Sequence, residues 1–159
     1  MESPSSTRGR PRGRRKRLLA AGAASVGALA LVVSACTSSG AQVGEHWHAT
    51  LDIEVCGASY QEPPTDGGVH SHGDGLIHLH PQDSSEAGNN ASLRTFFKGT
   101  RMRLEEDFIQ LTGEPEYRDG DRCHDGNAGR LRVLANGEEI ADFLSYLPRD
   151  GDFVQVLFR

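Results

Sequence analysis

The chain is poor in the side chains that most directly announce chemistry. Methionine occurs twice, tryptophan once and cysteine three times, and aromatic residues make up only 6%. With Met102 as the sole internal methionine, there are too few thioethers for the soft donor sets that handle copper(I). No GxSxG elbow, Walker loop or dinucleotide fingerprint occurs, which sets aside the serine-hydrolase, P-loop and Rossmann readings. Long apolar runs are missing too: Leu18 to Val33 is apolar for about sixteen residues, short of the roughly 20 that span a membrane. No internal repeat of solenoid length appears.

What stands at the N-terminus is an export pattern. Arg8 to Arg17 is basic (RGRPRGRRKR), Leu18 to Val33 is rich in Ala and Gly, and Val33-Ser34-Ala35-Cys36 closes the segment with small residues. Those three features together mark a secretory signal. The closing tetrapeptide resembles a bacterial lipobox, which implies cleavage before Cys36 and a lipid on its sulfur. The expected organisation is a signal over residues 1–35, a flexible tether over 36–44 (small and polar from Thr37 to Gly44), and one domain over 45–159. The expected location is the extracytoplasmic face of the cell membrane, with the membrane as partner through lipidated Cys36. Arg14-Arg15 hints at twin-arginine export, but Arg17 stands where an apolar residue is usual.

Removing residues 1–35 inverts the charge balance. Seven of the 17 Lys and Arg and one of the 22 Asp and Glu go with the signal, leaving 10 basic against 21 acidic side chains, a net charge of −11. An acidic surface repels phosphate backbones, so no nucleic-acid partner is expected. Metal cations suit that field. The remaining length fits a single core. Once Cys36 carries lipid, Cys56 and Cys123 are left, and in an oxidising compartment they are expected to pair as a disulfide. The alternative is that they bind metal beside His124.

Alternation locates the strands. Trp47, Ala49, Leu51, Ile53 and Val55 fall on one face and His46, His48, Thr50, Asp52 and Glu54 on the other, as in a half-buried strand. Gln61 to Gly68 (QEPPTDGG) reads as a loop, and Leu76 to His80 alternates again. Gly73-Asp74-Gly75 reads as a three-residue hairpin turn that would pair 72 with 76 and 70 with 78. Asn89-Asn90 and Ser92 to Gly99 predict a short capped helix with Leu93, Phe96 and Phe97 on its buried side and Gly99 as its stop. Met102 to Leu104 and Phe108 to Leu111 are strand-like, and Gly113 to Gly129 reads as a long loop. Leu131 to Leu134, Asn136-Gly137 and Glu138 to Ile140 form a hairpin, Asp142 to Leu144 a helical turn, and Gly151 to Phe158 a last strand. VLANGEEI followed by LPRDGDFVQVLF resembles the end of β-grasp domains. The fold class is α+β: a small, mostly antiparallel β domain with one or two short helices and a β-grasp-like C-terminal part.

Six of the seven histidines lie between positions 46 and 80, and all six occur as HxH: His46 and His48, His70 and His72, His78 and His80. On a strand of period two, each HxH points two imidazoles the same way. Neutral imidazoles in that arrangement suit zinc or copper(II), in one four-coordinate site with spectators or in two adjacent sites. Asp74 is a candidate ligand or hydrogen-bond acceptor that holds a histidine tautomer. His70-Ser71-His72-Gly73-Asp74 resembles the HxHxD opening of the metallo-β-lactamase motif, yet Gly75 stands where that family has its next histidine and the domain is too short for that fold. Cupins also carry HxH on strands, without the downstream glutamate spacing here. HWH, Cys56-Gly57, HSHGDGLIHLHP, Cys123 and the terminal GD strand together resemble an uncharacterised group of exported bacterial proteins, which implies no particular activity.

The expected function is therefore metal binding outside the cytoplasm, in holding the metal, delivering it to a protein partner or being structured by it. Two readings compete. One is a metal-dependent hydrolase or oxygenase with an open coordination position and Asp74 or Glu45 as base. The other is a metal-free surface domain whose histidines are structural or pH-responsive.

Overall fold

Strand β1 spans Trp47–Val55 and follows the expected alternation, with Ala49, Leu51, Ile53 and Val55 buried. A computed structural model describes residues 39–159. The expected signal over 1–35 and the lipid-bearing Cys36 lie outside the described residues. The described part of the expected tether is held to the fold: Ala41 is fully buried, Gly88 N donates to its carbonyl and Gly44 N donates to Pro81 O. The chain is thus docked from Gly40 onward.

Nine further strands follow: β2 (Ala58–Tyr60), β3 (Val69–His70), β4 (Leu76–Leu79), β5 (Arg103–Glu105), β6 (Phe108–Gln110), β7 (Glu116–Arg118), β8 (Leu131–Ala135), β9 (Glu138–Glu139) and β10 (Phe153–Phe158). The main sheet runs β3-β4-β1-β10-β8-β9, with β2 also pairing β1. The first and last of its long strands, β1 and β10, are parallel and central, and every other pair is antiparallel. This mixed, mostly antiparallel sheet with one short α-helix is the small α+β domain expected. Asn136 and Gly137 have φ of 53° and 85°, the left-handed pair that a two-residue β8–β9 hairpin requires.

Helix α1 (Leu93–Gly99) buries Leu93, Phe96 and Phe97 in a core built also from Ile77, Val133, Val154 and Val156. Its cap is Ser92, whose side chain accepts from Thr95 N, and its last residue is Gly99, as expected, with Thr100 as the C-cap. The expected long loop over 113–129 contains β7, because Ile109 and Tyr117 pair across a small β5-β6-β7 sheet. Cys56, just after β1, is bonded to Cys123 with Cα atoms 5.2 Å apart, as expected. Closing a loop of 67 residues removes about 4 kcal/mol of unfolded-chain entropy in the simplest account. Among the described residues no helix is long and apolar enough to cross a membrane.

Candidate metal centre

The histidines meet because three neighbouring strands hold them in register. His48 on β1 lies opposite His78 on β4, and His78 lies opposite His70 on β3. A single row of imidazoles thus crosses the sheet on the face away from the core. The pairing of 70 with 78 is the one expected. The expected pair 72–76 does not form: residues 71–75 make a five-residue connection, Leu76 pairs with Thr50, and His72 sits in the loop. Two extra loop residues leave the parity unchanged, so all four histidines of HSHGDGLIHLH still reach the same cluster.

The six imidazoles divide into two triads. His46, His48 and His80 form one and His70, His72 and His78 the other, with one nitrogen from each member within 4.8 Å of the other two. The closest approaches are His80 Nε2 to His48 Nε2 at 3.4 Å and His70 Nε2 to His72 Nε2 at 3.3 Å. Both are long for an N–H···N hydrogen bond. They match the nitrogen–nitrogen edge of a tetrahedral ion, about 3.3–3.4 Å for bonds of about 2.0–2.1 Å. The triads adjoin: the rings of His48 and His78 are 4.6 Å apart and those of His70 and His80 5.1 Å.

A second observation fits a cation. The Nδ1 atoms of His70 and His78 are buried without a hydrogen-bond partner. An unpartnered buried polar atom costs about 1–3 kcal/mol, and coordination through Nδ1 would relieve that cost at His78, whereas the 3.3 Å edge uses the Nε2 of His70. For His78 the tautomer is set locally: Nε2 lies 3.0 Å from Asp74 Oδ2, so its proton belongs there and the lone pair is left on the buried Nδ1. Asp74 thus orients a candidate ligand, and its carboxylate is not a member of the three-nitrogen group.

Two further carboxylates shape the site. Glu62, 2% exposed, was hidden in the QEPPTDGG loop; its Oε1 accepts from Ser71 Oγ and from Gly75 N, both at 2.9 Å. Ser71 Oγ in turn accepts from Gly73 N at 2.8 Å, and Ser71 N donates to Thr65 Oγ1. This clamp fixes the loop that carries His70, His72 and Asp74, and Gly73 and Gly75 hold the left-handed φ values of 72° and 77° it needs. The only sequence signal for Glu62 was Pro63-Pro64 after it, which restricts its backbone to extended geometry. At the other triad, Asp150 Oδ1 accepts from His48 N and Gly151 N donates to His48 O, so the loop before β10 fixes the backbone of His48.

Burial and crowding favour the neutral form of His80, His48 and His70. His80 is pushed down to about 4, by burial first and then by His46, His70, His48 and His78. His48 and His70 are lowered as well, again by burial first and then by neighbouring imidazoles, His78 foremost. Burial raises the Asp74 carboxyl, but the hydrogen bond and charge of His78 and the amide of Leu76 outweigh it and hold it below its ordinary value. Neutral imidazoles keep the lone pairs that a metal needs. A cleft of about 490 Å³, lined by Pro64, Thr65, Asp66, Gly67, His70, His72 and Gln82, opens beside the second triad.

The other candidates lie elsewhere. Glu45 accepts from Gln42 N at 2.6 Å in a local turn, and Met102 is buried in the core. Cys123 is committed to the disulfide, which removes the metal reading of the cysteines with His124, itself exposed on the loop. No protein-family model matches the chain, and no curated protein or solved structure matches it at a significant level.

Proposed function

We propose that this is an exported, lipid-anchored protein that binds a transition metal, zinc or copper(II), through its two histidine triads. The observation that carries the reading is the pair of Nε2–Nε2 separations, 3.3 and 3.4 Å, at tetrahedral spacing within two neighbouring triads. An all-imidazole donor set suits zinc and copper(II) and disfavours copper(I), calcium and magnesium. The role is to hold the metal or deliver it to a protein partner outside the cytoplasm. The lipobox-like Val33-Ser34-Ala35-Cys36 supports anchoring through Cys36.

Two experiments test it. Titration of the metal-free protein with zinc and with copper(II) in a calorimeter should give saturable binding that is lost in the His48→Ala/His78→Ala variant, which removes one ligand from each triad. Absence of saturable binding would sink the reading. Fractionation should find the protein in membranes and the Cys36→Ser variant in the soluble extracytoplasmic fraction; an unchanged distribution would remove the lipid anchor.

The cleft beside His70 and His72 favours a second reading. Three imidazoles leave a fourth position for a substrate or water at the mouth of that cleft, the composition of a hydrolytic zinc site. Asp66, on the wall of the cleft, would be the acid that serves that position. Asp74, hydrogen-bonded to His78, orients a ligand and is not free to act as base.

A further inference from the structure

The two triads have the same donors and very different surroundings. Around His70, His72 and His78, carboxylates support the loop and one ring. His78 is 6% and His70 9% exposed, while His72 is exposed in the loop. Asp74 sets the tautomer of His78 through the 3.0 Å contact to its Nε2. The buried Glu62 ties Ser71 and Gly75, the residues on either side of His72-Gly73-Asp74, to one carboxylate oxygen. Around His46, His48 and His80, no ring nitrogen has a carboxylate partner among the described hydrogen bonds, and the Asp150 contact reaches only the backbone of His48. Each triad has one exposed member outside the ladder, His46 before β1 and His72 in the 71–75 loop, so the difference lies in the groups that support them.

A metal site whose ligands are pre-oriented pays no ordering entropy on binding, and losing such an outer support typically costs about 10–100-fold in affinity. The adjoining triads also place two cations close together, so the second ion binds against the charge of the first. Order of filling is then decided by which triad is better supported.

We infer that the two sites work at different speeds: His70, His72 and His78 form a retention site that fills first and releases slowly, while His46, His48 and His80 form an exchange site. The inference rests on the metal-binding reading above. The exchange site is where an ion enters from, or passes to, a second set of nitrogen or sulfur ligands, because its imidazoles lack the carboxylate support that holds His78. Asp74 and Glu62 are positioning residues that act through His78 and through the 71–75 loop.

The test is zinc release from the fully loaded full-length protein into excess chromophoric chelator, followed in time. Two phases of equal amplitude are expected, separated by at least tenfold in rate. His46→Ala should remove the fast phase and spare the slow one. Asp74→Asn, at an exposed side chain whose loss leaves the core untouched, should speed the slow phase by about 10–100-fold and spare the fast one. Metal-free thermal melts of both variants distinguish a lost ligand from a damaged fold. A single phase, or a slow phase that Asp74→Asn leaves unchanged while two zinc ions are still bound, would overturn the inference and leave the metal-binding reading standing. No zinc to release would overturn both.

Discussion

Crowding imidazoles on one sheet face favours the neutral form of His80, His48 and His70, and this gives the metal-free protein a defined acid sensitivity. His80 is held at about 4, with His48 and His70 also lowered, chiefly by burial. In the unfolded chain the same side chains titrate near 6.5. Between those values the unfolded state binds more protons, so stability falls as pH is lowered from about 6.5 towards 4 and is flat above it. Each such proton contributes a slope of up to about 1.4 kcal/mol per pH unit. Asp74 and Asp152, held below the usual carboxylate range, add a further loss only below about pH 4. Urea midpoints in the presence of chelator should therefore hold steady from pH 8.5 to 7 and drop between 6.5 and 4. Midpoints that rise or stay level across that lower range would contradict the neutral form of these three histidines.

At the scale of elements, the cluster depends on the sheet that carries it, and the sheet depends on the apolar face behind it. Phe96 is fully buried against that core. Its replacement by Ala should cost about 3–5 kcal/mol and, by loosening the packing under the sheet, should weaken metal binding as well as folding. Equilibrium denaturation with and without zinc separates the two effects; a loss below about 1 kcal/mol would mean the core is not organised around α1. Elements governed by local rules were legible in the sequence. The alternation of β1, the Asn136-Gly137 turn, the apolar side of α1 and the parity that sets His70 against His78 all follow from period and turn chemistry. What was not legible depends on pairing across distance. The triads are decided by β1 meeting β4, thirty residues apart in sequence, which draws His80 to His46 and His48 and away from its own neighbour His78. Glu62 was equally hidden, since its partners Ser71 and Gly75 become neighbours only when the loops fold over it. β7 needed its partner β6 before residues 116–118 could be told from a loop.

For the whole molecule, the disulfide, the hydrophobic core and the central β1–β10 pair are built from residues other than the six histidines. Metal should therefore stabilise a fold that already exists. A site filled at a hundred times its dissociation constant adds about 2.7 kcal/mol, enough to raise the thermal midpoint on the order of 10 °C, and chelator should reverse the shift. The measurement that tests the central claim most directly is the elemental metal content of the protein purified without an affinity histidine tag, beside the His48→Ala/His78→Ala variant. Two zinc or copper ions per chain, falling to none in the variant, is the result expected of two histidine triads. A wild-type protein that carries no metal, even after equilibration with micromolar zinc and copper at neutral pH, would contradict it.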